Sequence, residues 1–205
     1  MNIIHMVIGI AALLIAAIAH EFCHGFVAYK LGDSTAKNMG RLTLNPLVHI
    51  DPIGSIFLPL VLILLKSPFV FGWAKPVPVN FFYLKHPRRD MILVSLAGPG
   101  INLFLSMFAA ALLRLPFLRE APYLSLFLVS LLIVNLVIAL FNLIPIPPLD
   151  GSRVLMGILP YSYARFYARL EPYGFVIIIF LLWLGVLNKI IWPIIRYILS
   201  MYGIS

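Results

Sequence analysis

The chain has 205 residues, 62% of them hydrophobic and only 11% charged, and its mean hydropathy is +1.05. Such values exclude a water-soluble domain and predict an all-α polytopic membrane protein that lies in a lipid bilayer. The net charge of +8 does not indicate a nucleic-acid partner, because the basic residues lie at the ends of apolar segments, where they act as topology signals.

Five apolar segments follow one another along the chain. They run from Ile3 to about Tyr29, Ile53 to Leu65, Met91 to Leu113, Leu124 to Phe141, and Tyr173 to roughly Leu199. A helix needs about 20 residues to cross the apolar layer of a bilayer, whereas Ile53–Leu65 has thirteen, with Pro59 among them. We therefore expect about four transmembrane helices plus a re-entrant segment, all within a single domain of residues 1–205.

The distribution of basic residues favours the same topology. If Ile53–Leu65 spans the membrane, the 15 Lys and Arg residues divide seven to eight between the two sides. If this segment is re-entrant, they divide eleven to four, which is the bias that the positive-inside rule describes. The side with eleven basic residues is then cytoplasmic.

The linker from Leu31 to Asp90 is rich in Gly, Pro and Asn. Alternation in Arg41–Leu44 and the X-Pro pairs within residues 71–79 favour short edge strands over helices. We expect a small membrane-associated β element near the cytoplasmic face.

The run His20-Glu21-Phe22-Cys23-His24 near the end of the first apolar segment has the spacing HExxH. Residues four apart lie on one face of a helix, so both imidazoles can bind one cation. Glu21 lies about 100° further round the helix, where it can act as a base on water without being a ligand. Ionisable groups in an apolar helix are costly and indicate a functional site, although buried polar pairing with another helix is the competing interpretation.

A catalytic zinc site usually has three protein ligands, and Asp150 is the candidate for the third. The other acidic residues lie in loops or at helix ends, except Glu21, which is assigned as the base. Asp150 follows Asn142–Leu149, where three prolines break a long apolar helix. With a re-entrant Ile53–Leu65, the first and fourth apolar segments run parallel, so that His24 and Asp150 can meet near the cytoplasmic side.

Two motifs together resemble the paired signature of the site-2 protease family. They are HExxH in one membrane helix and Asn-x-x-Pro-x-Pro-x-Leu-Asp-Gly, here residues 142–151, at the end of a later one. Residues 98–102 are also similar to a Gly-x-x-x-Asn element of that family. The resemblance covers most of the chain and implies a zinc-dependent intramembrane endopeptidase whose substrates are transmembrane segments of membrane proteins.

The resemblance also implies a role for each matching residue. It assigns His20, His24 and Asp150 as ligands of one Zn²⁺ per chain, Glu21 as the catalytic base, and Asn142 as a substrate-binding residue. We expect a multi-pass protein of a prokaryotic cell membrane, with its active site toward the cytoplasmic side. We also expect the compact form of the family, without a PDZ or CBS domain.

Other polar residues and another function are open on the sequence alone. Asn102 and Asn135 on apolar helices are typical of interhelical hydrogen bonding. His49 and Asp51 can fix a loop or form a second metal site, and we favour the loop role. The competing function is a membrane metal transporter or metal-binding scaffold, which would also bury histidine and carboxylate groups. The oligomeric state is not indicated.

Overall fold

The computed structural model describes residues 3–65 and 75–201, which contain eleven α-helices and no strand. The helices are α1 (Ile3–Lys30), α2 (Thr35–Asn38), α3 (Pro46–His49), α4 (Leu58–Leu64), α5 (Pro87–Leu112), α6 (Pro116–Arg119), α7 (Pro122–Asn142), α8 (Asp150–Ile158), α9 (Tyr161–Ala168), α10 (Gly174–Trp183) and α11 (Val186–Met201). A π-helical turn at Pro52–Phe57 precedes α4, and 3-10 turns lie at Phe81–Tyr83 and Glu171–Tyr173.

Four stretches of the described chain are long and apolar enough to cross a membrane. They are Ile3–Lys30, Pro87–Leu112, Pro122–Asn142 and Tyr161–Trp183. The predicted multi-pass all-α class with about four spans is therefore confirmed. The fourth stretch begins at Tyr161, earlier than the predicted start at Tyr173. The sequence of α9 is helical but contains tyrosine and arginine residues, so it is not a continuous apolar run and the apolar pattern did not include it.

The core is formed by α1, α5 and α7. Small residues allow these helices to approach closely, since Ala12 of α1 and Ala109 and Ala110 of α5 are fully buried. Leu132 and Leu136 of α7 pack into the same cluster. Lipid tails are as apolar as leucine, so that close van der Waals packing of this kind is what holds membrane helices together.

Two buried asparagines connect the three core helices. Asn102 of α5 donates through Nδ2 to Asn135 Oδ1 at 2.7 Å and to Ala16 O of α1 at 3.1 Å. Asn135 of α7 donates through its own Nδ2 to Leu131 O at 2.7 Å. The amide donors are thus satisfied within the protein, as the absence of water in an apolar core requires. The predicted interhelical role of both residues is confirmed.

The contacts also give the helix directions. Asn102 of α5 contacts Ala16 of α1, whereas Val94, earlier in α5, contacts His24, later in α1, so these helices are antiparallel. Asn135 lies beside Asn102, and the chain beyond the end of α7 reaches His24. Therefore α1 and α7 are parallel, and both finish at the end of the core where α5 begins, which we call the site end. The linker between α1 and α5 leaves and returns there, and the re-entrant position of Ile53–Leu65 stays a prediction.

The expected small β element is not confirmed. Residues 41–44 and 75–80 are irregular, while residues 71–74 lie outside the described chain. The backbone N–H of Val77 donates to the Glu21 carboxylate rather than to a neighbouring strand, and the prolines on either side have no N–H group. The Glu21 side chain of α1 thus accepts the hydrogen bond that a neighbouring strand would have accepted in a sheet.

After α10 the chain bends at Gly185, whose φ of +68° is a left-handed conformation that glycine adopts without strain. The following helix α11 packs against α7. Ile195 of α11 is fully buried and Ile191 is nearly so, both in the same cluster as Leu132. The C-terminal helix is therefore part of the core packing.

Replacing Leu132 by alanine tests this packing. We expect the free energy of unfolding in detergent to fall by about 2–5 kcal/mol, because the surrounding helices fill the resulting cavity only partly. Leu124→Ala, at a side chain of the same helix that is 41% exposed, is the matched control and should change stability little. Equal losses for the two variants would contradict the assignment of Leu132 to a packed core.

Candidate metal centre

Three side chains converge at the site end. His20 and His24 are buried on one face of α1, and their Nε2 atoms lie 3.0 Å apart. Each Nε2 also lies 3.1 Å from Oδ2 of Asp150, the first residue of α8. The structure thus brings together the three residues that the sequence predicts as metal ligands.

The other nitrogen of each imidazole fixes its tautomer. His24 Nδ1 lies 2.7 Å from Val94 O, a carbonyl that can only accept. His20 Nδ1 lies 2.6 Å from Asn102 Oδ1, and the amide nitrogen of Asn102 is used as a donor to Ala16 O. Each Nδ1 therefore carries the proton, and each neutral ring directs an Nε2 lone pair toward the other two groups.

Two imidazole lone pairs and a carboxylate oxygen at 3.0–3.1 Å from one another repel unless a cation lies among them. Ligands at about 2.0–2.1 Å in a tetrahedral arrangement are about 3.3–3.4 Å apart, only slightly more than the distances here. Two histidines and one carboxylate are also a donor set of catalytic zinc sites, which keep a fourth position for water or substrate. The residues at the site end therefore fit Zn²⁺.

The loop after α7 positions Asp150. Helix α7 ends at Asn142, and the chain folds back so that Gly151 packs against the backbone of Leu143 and Ile144. A Cβ atom at Gly151 would lie only 2.2 Å from Leu143 O, so a side chain is excluded. The glycine after Asp150 is thus required by the close approach that directs the carboxylate toward the histidines.

Asp150 is ionised at neutral pH. Burial raises the pKa of its carboxyl, but when the imidazoles of His20 and His24 are protonated, their hydrogen bonds and charge outweigh that effect and lower the pKa from 3.8 to about 2. A cation among the three groups would act in the same direction. An ionised carboxylate is the form in which aspartate binds a metal.

Glu21 lines a cavity of about 350 Å³ together with both histidines and Asp150. Its Oε2 atom accepts a hydrogen bond of 2.8 Å from the backbone N–H of Val77. Pro76 and Pro78 have no N–H group, so Val77 provides the only backbone donor of this Pro-Val-Pro stretch. The stretch therefore orients the Glu21 carboxylate, whose Oε1 has no partner in the described part of the protein.

Asn142, the last residue of α7, lines the same cavity. Its Nδ2 donates to Ile138 O of its own helix at 3.0 Å, which holds the amide beside the cavity. The substrate-binding role of Asn142 stays a prediction.

Gly98 of α5 lies directly against the two imidazoles. A Cβ atom at this position would lie 2.3 Å from His24 Nε2 and 2.7 Å from His20 Nε2, in the space where the three donors converge. One helical turn further on, Asn102 accepts the hydrogen bond of the His20 ring. The Gly-x-x-x-Asn spacing is thereby explained, because one residue leaves room for the imidazoles and the other orients one of them.

Three groups of the site were not found from the sequence. The carbonyl of Val94 and the N–H of Val77 are backbone atoms, which have no sequence signature. Arg153 lines the cavity as well, and its position three residues after Asp150 on one helix is the signal that could have indicated it.

His49 and Asp51 have the predicted loop role. Nε2 of His49 donates to Thr43 O at 2.8 Å, and Oδ1 of Asp51 accepts from the backbone N–H of Gly54 at 2.7 Å. Within the described ranges, a cluster of three possible metal-ligand side chains lies at the site end, and neither His49 nor Asp51 belongs to it.

Comparison with known proteins gives a consistent set of relatives. The chain matches the model of peptidase family M50 over residues 119–185. It is 39% identical to YwhC of Bacillus subtilis, over 91% of this chain and 85% of that protein. It is 31% and 33% identical to the Rip2 proteins of Mycolicibacterium smegmatis and Mycobacterium tuberculosis, each over 97% of this chain and 75% of the relative. All three relatives are classed by name as zinc metalloproteases, and no solved structure matches significantly.

A pair of glycine variants on α5 tests the position of the metal. We expect Gly98→Ala to lose most of its zinc, because the added methyl group occupies the space among the three donors. Gly100→Ala, whose Cβ would meet no atom within 4 Å, should keep its zinc. The measurement is the zinc content of the purified proteins by elemental mass spectrometry. A full complement of zinc in Gly98→Ala would mean that the metal binds elsewhere.

Proposed function

We propose, from the premise that this chain belongs to peptidase family M50, that it is an endopeptidase which cleaves transmembrane segments inside the membrane. Membership of the family makes the chain a zinc metalloendopeptidase, and its apolar helices make it a multi-pass membrane protein. The intramembrane site of cleavage, the roles of individual residues and the action of residues 1–205 as one catalytic domain are the proposed part. The convergence of His20, His24 and Asp150 at 3.0–3.1 Å is the observation that carries it.

We assign His20, His24 and Asp150 as the zinc ligands. Each Nδ1 has an acceptor, so the Nε2 lone pairs and the Oδ2 atom face one another, which is the direction that binding requires. Bound zinc supplies a Lewis acid that polarises the scissile carbonyl and makes water an effective nucleophile near neutral pH.

Glu21 is the proposed proton carrier. It takes a proton from the attacking water as the water oxygen bonds to the carbonyl carbon, and it gives the proton to the amine nitrogen as the C–N bond breaks. The hydrogen bond from Val77 holds one carboxylate oxygen, so that the other can face the water. The carboxylate thus acts as base and then as acid without a change of place.

Transmembrane segments are the proposed substrates because the site lies among apolar helices rather than on a water-soluble domain. A helical substrate hides its carbonyl groups in its own hydrogen bonds and must unwind, and the unwound backbone needs new partners. The Asn142 amide at the cavity wall is one such partner. Loss of this amide in Asn142→Ala should raise KM while zinc content is unchanged, and an unchanged KM would exclude the role.

We propose that the site end faces the cytoplasm of a prokaryotic cell. Eleven of the 15 basic residues fall on this side when Ile53–Leu65 is re-entrant and the fourth span is counted from Tyr173. The positive-inside rule then gives the orientation. Water would reach the cavity from the same side, where the polar linker lies.

Cleavage of a co-expressed single-span membrane protein, followed in detergent, tests the function. Activity should stop with a zinc chelator and return with added zinc. Glu21→Gln should abolish cleavage and keep its zinc, because the amide cannot carry the proton. Asp150→Ala should lose both.

Two results would contradict these assignments. Full activity of Glu21→Gln would exclude Glu21 as the base, and a normal zinc content in Asp150→Ala would place the third ligand elsewhere. Zinc movement into vesicles without any cleavage by the wild-type protein would favour a transporter.

Single-cysteine labelling tests the orientation, after the only cysteine, Cys23, has been replaced by alanine. A membrane-impermeant maleimide should label Lys85→Cys, at an exposed residue of the site end, only after permeabilisation of the cells. Glu120→Cys, at an exposed residue between α5 and α7 at the opposite end, should be labelled in intact cells. Labelling with the reverse pattern would place the site on the outer side.

A further inference from the structure

Arg153 is a charged residue of the cavity that the mechanism above does not use. It lies three residues after Asp150 on α8, so the two side chains project from the same face about one helical turn apart. Both line the cavity that contains Glu21 and the two histidines. A guanidinium group is always protonated and has five N–H donors.

The guanidinium of Arg153 does not pair with the nearby carboxylate. Asp150 is within ion-pair distance of the two histidines instead. The contact that Arg153 makes is a cation–π contact with Phe81, whose ring centre lies 4.9 Å from its Cζ atom. In the described chain, Arg153 forms no hydrogen bond or ion pair, so its donors are available to a bound molecule.

Phe81 is a fixed platform for this cation. Its ring packs against the buried cluster of Ala28, Leu84 and Val94, which joins the ends of α1 and α5 at the site end. Val94 also provides the carbonyl that orients His24. The same packed unit therefore positions a metal-binding imidazole and the guanidinium, and Arg153 is held over the cavity rather than free in solvent.

We propose that Arg153 is a further catalytic residue, whose guanidinium donates to the carbonyl oxygen of the scissile peptide bond as negative charge develops there. The proposal rests on the proposed function. Arg153 stays protonated throughout, since the proton of the attacking water passes to the amine nitrogen through Glu21. The carbonyl oxygen gains charge as the water oxygen bonds to the carbon and loses it when the C–N bond breaks.

The charge and place of Arg153 favour this role over simple substrate anchoring. A backbone carbonyl in the ground state needs only a neutral donor, which Asn142 can provide at the same cavity wall. A full positive charge in a partly buried site binds the developing oxyanion much more strongly than the neutral carbonyl. Arg153 should therefore affect kcat more than KM.

The experiment measures kcat, KM and zinc content of Arg153→Met in detergent. We expect kcat to fall about 100- to 1000-fold, with KM within about threefold and zinc content unchanged, as for the loss of one oxyanion donor. Arg153→Lys keeps the charge and should recover part of kcat. Arg89→Met, which removes an exposed cation outside the cavity, is the matched control and should have wild-type kinetics.

Two further measurements separate chemistry from structure. In a Glu21→Gln background, which binds substrate without cleaving it, Arg153→Met should leave the affinity for the intact substrate unchanged. Phe81→Leu, which keeps the guanidinium but removes its aromatic platform, should lower kcat by a smaller factor than Arg153→Met. It provides the test if Arg153→Met does not fold.

A kcat close to wild type, a rise in KM alone, or a loss of zinc in Arg153→Met would each overturn the proposal. For Phe81→Leu, an unchanged kcat would do the same. Failure of the proposed function is a separate result, because the wild-type protein would then show no zinc-dependent cleavage with which to compare the variants.

Discussion

The whole site depends on the repulsion among three lone pairs that the fold holds together. The Nε2 atoms of His20 and His24 and the Oδ2 atom of Asp150 lie 3.0–3.1 Å apart, and no proton is available between the imidazoles once each Nδ1 has an acceptor. Such an arrangement is unfavourable in an apolar surrounding unless a cation compensates it. Helix packing therefore holds the three donor atoms in an unfavourable arrangement, which a bound metal ion would stabilise.

That geometry is maintained by the same contacts that hold the helices together. Asn102 accepts from His20, donates to Ala16 of the same helix, and donates to Asn135 of α7. Each hydrogen bond is made where water cannot replace it, so breaking one leaves a buried polar group unpaired. The same hydrogen bonds of Asn102 therefore both join the helices and orient the His20 imidazole.

The sequence predicts those parts of the site that follow from spacing or from the parity of membrane crossings. The pair of His20 and His24 follows from helix periodicity, and Asp150 follows from four spans with parallel α1 and α7. The contribution of Gly98 could not be predicted from spacing. This residue of α5 matters because its missing side chain leaves room for the imidazoles of α1, and that contact between helices is visible only in the fold. The small sheet was expected from the alternation and prolines of the linker. The backbone N–H of Val77 instead donates to the carboxylate of Glu21 in α1, an acceptor that the linker sequence alone does not reveal.

The charges around the cavity explain why a second cation is useful beside the metal. The carboxylates of Asp150 and Glu21, which line the cavity, would together neutralise the two positive charges of a bound Zn²⁺. Without Arg153 the site would be electrically neutral as an oxyanion forms, whereas with it one positive charge remains. Two unit charges 4 Å apart interact by about 4 kcal/mol at an effective dielectric constant of about 20, and about 1.4 kcal/mol changes a rate tenfold. The interaction energy between one guanidinium and the oxyanion would therefore be large enough to change the rate by more than tenfold. The contact with Phe81 holds the guanidinium at the cavity wall, while Asp150 lies within ion-pair distance of the two histidines.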